Sequence, residues 1–161
     1  MQLMPLPKRI WQCGSISLDL SKPHIMGILN VTPDSFSDGG LHNNVEQGIK
    51  HALHMIEDGA TVIDVGGEST RPGASIVEVE EEIRRVVPVV TALSKYDVVI
   101  SIDTSEPRVI RAAVKAGAHI WNDVRALTRP NALETAAELN IPVIIMHMRG
   151  EPTTMNGLDQ Y

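Results

Sequence analysis

The sequence predicts an α/β fold in which parallel strands alternate with helices, and three observations support this prediction. Short apolar runs of strand length recur along the chain, amphipathic stretches of helix length separate them, and one short motif is repeated. The motif is a glycine that ends a helix, then a buried strand and a polar residue, and it occurs at 59–64 and at 117–122. We therefore expect one parallel sheet covered by helices.

Apolar runs and helix signals give the individual elements. The predicted strands are Ile25–Leu29, Thr61–Val65, Val98–Ile102, His119–Trp121 and Val143–Met146. The predicted helices run from Asn44 to Gly59, 77–93, 105–117 and 131–140, and the first and last begin with capping-box spacing, Asn44 with Gln47 and Asn131 with Glu134. Pro88 is expected to kink or shorten the second helix, whose acidic run predicts a solvated face. Residues 10–20 are predicted to form a hairpin that turns at Gly14.

The number of β/α units is compatible with two architectures. Five strands and four helices are fewer than the eight units and roughly 250 residues of a closed β/α barrel. The pattern matches about the first five-eighths of a (β/α)8 TIM barrel, and an open five-stranded sheet is the alternative. We therefore expect residues 1–161 to be part of a single barrel domain, with the 10–20 hairpin at the end of the sheet opposite the ligand crevice, and the chain to be a fragment.

Composition excludes several classes of protein. The 161 residues include 14 Lys and Arg against 20 Asp and Glu, a formal charge of −6, which argues against nucleic acid as a partner. Cys13 is the single cysteine, so an intrachain disulfide or a cysteine zinc site is impossible. No apolar run approaches the roughly 20 residues of a membrane span. We expect a soluble, cytoplasmic protein without a membrane partner.

Each predicted strand is followed by a polar residue. These residues are Asn30, Asp64, Asp103, Asn122 and His147. Because the carboxyl ends of parallel strands meet at one edge of a sheet or barrel, we expect a ligand crevice there.

Two loops at these strand ends carry further candidates. The loop from Asn30 to Gly40 contains Phe36, the only Phe of the chain, and Asp38; it is either a capped surface turn or a loop that closes on a flat substrate while Asp38 faces a developing cation. The loop from Asp64 to Gly73 combines glycines, hydroxyl groups and an arginine, which suits phosphate oxygens or a carboxylate.

The next two strand ends suggest recognition of a heterocycle. The carboxylate of Asp103 can accept two N–H bonds from a 2-aminopyrimidine edge, and the amide of Asn122 can donate and accept beside it, as a pterin or a guanine-like ring requires. The alternative for Asp103 is a helix cap, and Asp64 and Asp123 are equally suited to bracing loop N–H groups. Met146 fills the core or lies against a planar ring.

Five segments together resemble the dihydropteroate synthases, a family of pterin-binding barrels. They are Met26 to Gly40, Asp64 to Gly73, Ser101 to Ser105, Asn122 to Val124 and Met146 to Met148. The resemblance implies a transferase of folate biosynthesis and a target of sulfonamides. Such an enzyme condenses 6-hydroxymethyl-7,8-dihydropterin diphosphate with p-aminobenzoate to give 7,8-dihydropteroate and pyrophosphate.

The resemblance also implies roles for individual residues on the pterin side. Asp103 and Asn122 would hold the pterin edge, and Met146 would line its pocket. Asn30 would bind Mg²⁺ together with the diphosphate, and Thr70 would contact the substrate.

On the p-aminobenzoate side, Phe36 would help to form the pocket and Asp38 would face the pterin methylene. Arg71 and Pro72 would border the same pocket. The family's later strands bring further ligand residues, so we expect little or no activity from the fragment alone and a homodimer at full length. The alternatives are a truncated pterin-binding module without turnover and a corrinoid methyltransferase of the methyltetrahydrofolate type.

Overall fold

The structure, a computed structural model, describes residues 9–31, 40–67 and 79–146. In these residues the elements follow one another as β1 (Ile10–Cys13), β2 (Ile16–Asp19), β3 (Ile25–Asn30), α1 (Gly40–Glu57), β4 (Ala60–Gly66), α2 (Val79–Leu93), β5 (Val99–Asp103), α3 (Pro107–Ala116), β6 (Ile120–Asp123), α4 (Ala132–Leu139) and β7 (Val143–Ile145).

Strands β3 to β7 form one parallel sheet, which confirms the predicted α/β class. Their spatial order is β3-β4-β5-β6-β7, so each strand pairs with the next one along the chain. A doubly wound open sheet reverses its strand order at a switch point and carries helices on both faces. Here the order does not reverse, and α1 to α4 all contribute to one core cluster against the sheet. The described strands thus have the winding of a β/α barrel.

The main core lies between the sheet and the helices because alternate strand residues face opposite sides. In β4, Ile63 and Val65 are fully buried in this cluster. Trp121 of β6 is also fully buried, and its indole Nε1–H donates to the Thr104 carbonyl oxygen at 2.8 Å. Burying each large side chain contributes about 1.5–3 kcal/mol, so this layer sets which face of the sheet points inward.

The β1–β2 hairpin covers the amino ends of the strands on the opposite face of the sheet. Gly14 turns the hairpin with φ +61°, a conformation that glycine adopts without strain. The hairpin packs Cys13 and Leu18 onto inward-facing residues near the strand starts, Val62, Val99 and Ile120. This side of the sheet is therefore closed at the amino end.

Three helix predictions need correction. Helix α1 begins at Gly40 rather than Asn44, because a capping pattern inside a helix costs only a few tenths of a kcal/mol and does not stop it. Pro88 does not shorten α2, which was one of its two expected effects: the helix continues through Pro88 to Leu93, and the exposed ring meets solvent and not the core. Asn131 makes no side-chain cap bond to α4, because its backbone is left-handed with φ +65°.

Candidate functional site

Four inward-facing residues lie in one row across the carboxyl ends of β3 to β6. Asn30 pairs with Gly66, Gly66 with Asp103, and Asp103 with Asn122. Gly66 contributes no side chain, and a Cβ atom there would lie 3.4 Å from Asp103 Cβ. The row therefore brings three of the predicted site residues to one edge of the sheet and leaves space between Asn30 and Asp103.

A second polar layer lies beneath this row. Asp64 pairs with Ser101 on the neighbouring strand, and both are buried. Ser101 Oγ–H donates to Asp64 Oδ1 at 2.7 Å, and the amide Nδ2–H of Asn122 donates to the same oxygen at 3.2 Å. Asp64 thus connects the buried layer to the outer row.

Burial governs the ionisation of Asp64. Removal from water raises the pKa of its carboxyl group, and the hydrogen bonds from Ser101 and Asn122 partly oppose this rise because they favour the charged form. Within residues 9–31, 40–67 and 79–146, the hydrogen bonds of the Asp64 carboxylate come from two side chains of neighbouring strands and not from loop N–H groups, which were one of its predicted partners. Its strand also continues past it to Gly66, so Asp64 is not the last residue of the strand.

Asp123 faces the opposite side of the sheet and braces the following loop, which confirms the prediction that it bonds loop N–H groups. Its Oδ1 accepts the backbone N–H of Arg125 at 2.9 Å, and its Oδ2 accepts that of Leu127 at 3.0 Å. Ser105 Oγ–H donates to Asp123 Oδ1 at 2.8 Å and accepts from the Arg125 guanidinium at 2.9 Å. The adjacent side chains of Asn122 and Asp123 therefore lie on opposite faces of the sheet.

Met146 and two of the three histidines of α1 lie apart from this network. Met146 follows β7 and is 41% exposed. His51 and His54 are exposed on α1. Among residues 9–31, 40–67 and 79–146 no three His, Cys, Asp or Glu side chains come together as a metal site. In the same residues no helix has the length and apolarity needed to span a bilayer.

Five of the predicted site residues lie outside the described residues. They are Phe36, Asp38, Thr70, Arg71 and Pro72, and the predicted strand-end residue His147 also lies outside the described residues. Their predicted roles remain predictions.

Glu82 is a correction to the expectation of a solvated acidic face on α2. It is only 2% exposed, because the first turns of α2 pack against the end of β4. A Cβ atom at Gly67 would lie 2.9 Å from Glu82 Cγ and 3.2 Å from Val86 Cγ2. Glycine is therefore required where the chain leaves β4 toward its second loop.

Ser101 is a site residue that the sequence reasoning did not single out. The signal was present, because a strand residue two positions before Asp103 must face the same side of the sheet. Its role became evident only with the register that sets it beside Asp64.

The chain is similar to dihydropteroate synthases in sequence. A family model described as "Pterin binding enzyme" matches residues 26–161. The dihydropteroate synthase of Escherichia coli strain K12 is 62% identical over 146 residues, which are 90% of this chain and 52% of that protein. The enzyme of Haemophilus influenzae is 53% identical over 145 residues, 89% of this chain and 53% of that protein.

Solved structures agree with the sequence matches. The structure of a Yersinia pestis dihydropteroate synthase with a sulfonamide drug complex matches this chain with a TM-score of 0.87 and 54% sequence identity. The match covers 95% of this chain and 56% of the Yersinia pestis chain. A Xanthomonas albilineans dihydropteroate synthase in complex with 7,8-dihydropteroate has a TM-score of 0.78 and 47% identity, covering 88% of this chain and 52% of its own. The chain spans about half the length of the relatives it matches.

Proposed function

The chain belongs to the pterin binding enzyme family, and from this membership we propose that the protein containing it is a dihydropteroate synthase. Its substrates are 6-hydroxymethyl-7,8-dihydropterin diphosphate and p-aminobenzoate, and its products are 7,8-dihydropteroate and pyrophosphate. The proposal is supported by the 62% identity to the Escherichia coli dihydropteroate synthase.

The structural observation that carries the proposal is the pairing of Asp103 with Asn122 at the carboxyl ends of β5 and β6. A carboxylate accepts two parallel N–H bonds from a ring that presents an amino group beside a ring N–H, and a neighbouring carboxamide both donates and accepts. This donor and acceptor pattern suits the pyrimidine edge of a pterin. Met146, on the next strand end, supplies a polarisable side chain for the flat ring.

The condensation needs orientation more than acid–base chemistry. The arylamine nitrogen of p-aminobenzoate attacks the exocyclic methylene carbon, the carbon–oxygen bond to the diphosphate breaks, and the nitrogen then loses a proton. Holding the two reactants in line in a closed site supplies much of the rate acceleration. We assign the pocket for p-aminobenzoate to Phe36, Arg71 and Pro72, the developing charge on the methylene to Asp38, and a substrate contact to Thr70.

We further propose that Mg²⁺ binds with the diphosphate at Asn30. The side chain of Asn30 is exposed at the carboxyl end of β3, beside the space left by Gly66, and its carboxamide oxygen is a ligand that Mg²⁺ accepts. Mg²⁺ characteristically takes few protein ligands and completes its shell with water and substrate phosphates. When bound, it neutralises charge on the departing diphosphate.

Calorimetry on the complete gene product that carries this sequence tests the pterin site. Asp103→Asn removes an ionised acceptor of two hydrogen bonds, each worth about 1.5–3 kcal/mol, so the Kd for the pterin diphosphate should rise about 100-fold or more. The matched control is Asp97→Asn, an exposed residue before β5, which should leave the Kd unchanged. Equal affinity of wild type and Asp103→Asn would refute the pterin assignment.

Two ligands separate the metal proposal from the ring proposal. The diphosphate ester should bind more tightly with Mg²⁺ than with EDTA, whereas 6-hydroxymethyl-7,8-dihydropterin, which lacks the diphosphate, should show no such difference. Asn30→Ala should reduce the Mg²⁺-dependent gain and leave binding of the alcohol intact. A gain that persists unchanged in Asn30→Ala would place the metal ligand elsewhere.

We also propose that the whole protein is a homodimer located in the cytoplasm, and light scattering on the purified gene product measures the oligomeric state. The alternative function, a corrinoid methyltransferase, requires a corrinoid partner for turnover. Release of pyrophosphate from the two substrates without such a partner would exclude it. Pterin binding without release of pyrophosphate would favour the other alternative, a pterin-binding module without turnover.

A further inference from the structure

We infer that Asp64 is a positioning residue that fixes the orientation of the Asn122 carboxamide for ligand recognition. The inference rests on the proposed function for the identity of the ligand, a pterin. It rests on the described contacts for the role of Asp64: Oδ1 accepts both the Ser101 hydroxyl at 2.7 Å and the Asn122 Nδ2–H at 3.2 Å.

A carboxamide has two nearly isosteric orientations that exchange its oxygen and its NH₂ group. An ionised carboxylate is an acceptor only, so it selects the orientation in which the NH₂ group of Asn122 points toward Asp64. The carbonyl oxygen and the second N–H of Asn122 then stay available on the crevice side. The acceptor and the donor that a ring meets there are thus defined before the ring binds.

Asp64 is itself held rigidly in the sheet. It is 3% exposed, lies inside β4 rather than in a loop, and pairs directly with Ser101 on β5. The Ser101 hydroxyl has its donor committed to Asp64, which leaves the carboxylate little rotational freedom. The hydrogen bonds of Ser101 and Asn122 to Asp64 thus link three neighbouring strands and connect the buried layer to the row that contains Asp103.

Two substitutions at Asp64 separate orientation from charge, with pterin affinity of the complete gene product as the readout. Asp64→Leu removes the acceptor, leaves the Asn122 N–H facing an apolar group, and should raise the pterin Kd about tenfold or more. Asp64→Asn keeps an oxygen that can accept from Ser101 and Asn122 but can also turn its own NH₂ group toward them, so it should restore part of the affinity that Asp64→Leu loses. The KM for p-aminobenzoate should change far less than the pterin KM.

A matched pair of serines provides the control. Ser101→Ala removes the hydroxyl that holds Asp64, and Ser105→Ala removes a comparable buried hydroxyl that bonds Asp123 on the helix side of the sheet. Ser101→Ala should weaken pterin binding by about threefold to tenfold, and Ser105→Ala should not. Equal losses in Asp64→Asn and Asp64→Leu, or equal losses in the two serine variants, would overturn the positioning role.

Nuclear magnetic resonance tests the orientation without any substrate. The side-chain NH₂ protons of Asn122 should show one slowly exchanging, hydrogen-bonded proton in the wild type and in Asp64→Asn, and this signature should be lost in Asp64→Leu. If the wild type binds no pterin, the proposed function fails while this signature still reports the orientation. Absence of the signature in the wild type overturns the inference even if pterin binds tightly.

Discussion

Three aspartates near the strand ends show how position decides the role of one residue type. Asp103 lies in the outer row beside Asn122, Asp64 accepts two side-chain donors in the layer beneath, and Asp123 accepts backbone N–H groups on the helix side. Alternation along a strand separates Asn122 from Asp123, since adjacent residues face opposite sides. A substitution of Asp123 should therefore lower the stability of the fold, and a substitution of Asp103 should lower the affinity for the ligand.

His119 belongs to the same scale and predicts a pH dependence of stability. Its Nδ1 accepts the backbone N–H of Ile100 at 3.0 Å, which requires the neutral ring, and burial lowers its pKa from the ordinary value of 6.5. The folded state therefore binds fewer protons than the unfolded state. The free energy of unfolding should be at its full value above pH 6.5 and fall as the pH drops below 6.5 toward the lowered pKa.

Urea unfolding between about pH 5 and pH 7 measures this effect. His119→Asn keeps an acceptor near Nδ1 but cannot titrate, so its stability should vary less with pH than that of the wild type. His54→Asn, on the exposed face of α1, should keep the wild-type slope. An unchanged slope in His119→Asn would contradict the assignment.

At the scale of elements, helix α2 stays continuous although it contains a proline, because its apolar face is packed against the sheet. Pro88 lacks the N–H that would bond the Arg84 carbonyl, yet Val86, Val89 and Val90 around it are fully buried against the sheet. Burial of this apolar face outweighs the defect, which is why the helix remains continuous. The proline lies on the exposed side, where its ring displaces no core residue.

Replacing this proline should stabilise the protein. Pro88→Ala restores the missing N–H and removes the ring, which relieves a helix-interior cost of about 3 kcal/mol. It also makes the unfolded chain more flexible, which opposes this stabilisation by about 1 kcal/mol. The free energy of unfolding should therefore rise by about 1–2 kcal/mol in urea titrations. Thr91→Ala, also exposed on α2, is the control and should change stability by less. A loss of stability in Pro88→Ala would mean that the ring fits a local distortion of the helix.

At the scale of the whole molecule, the two outer strands of the described sheet expose large apolar side chains. Ile25 and Ile28 on β3 are 60% and 54% exposed, and Ile145 on β7 is 59% exposed. Exposed apolar edge strands invite pairing with another chain. The dihydropteroate synthases that this chain matches are about twice as long as the chain.

Residues 1–161 produced alone should therefore self-associate and show little or no synthase turnover. Ultracentrifugation should find oligomers or aggregates, and the double variant Ile28→Lys with Ile145→Lys should reduce them because like charges oppose edge pairing. Leu133→Lys changes a side chain that is 66% exposed on α4, away from the sheet edges, and should leave association unchanged. A monomer with turnover near that of full-length relatives would contradict this prediction.

Much of this arrangement could be predicted from the sequence because its signals are local and periodic. Apolar runs of strand length predicted all five strands of the sheet within one or two residues at each end. The helix starts were predicted less well: α1 begins four residues before Asn44, and Asn131 makes no capping bond. Capping patterns report only local preference, and the packing of a helix against the sheet outweighs them.

The sequence by itself determined the α/β class and the family, since periodicity and long motifs are properties of the chain, and it predicts Asp103 and Asn122 as candidate ligand residues. Only the tertiary structure decided that Ser101, Asp64 and Asn122 form one hydrogen-bonded chain, that Glu82 is buried, and that Asp123 braces a loop. The physical reason is register: hydrogen bonds between strands depend on which residues of separate segments lie side by side, and the 37 positions from Asp64 to Ser101 carry no local signal of that pairing.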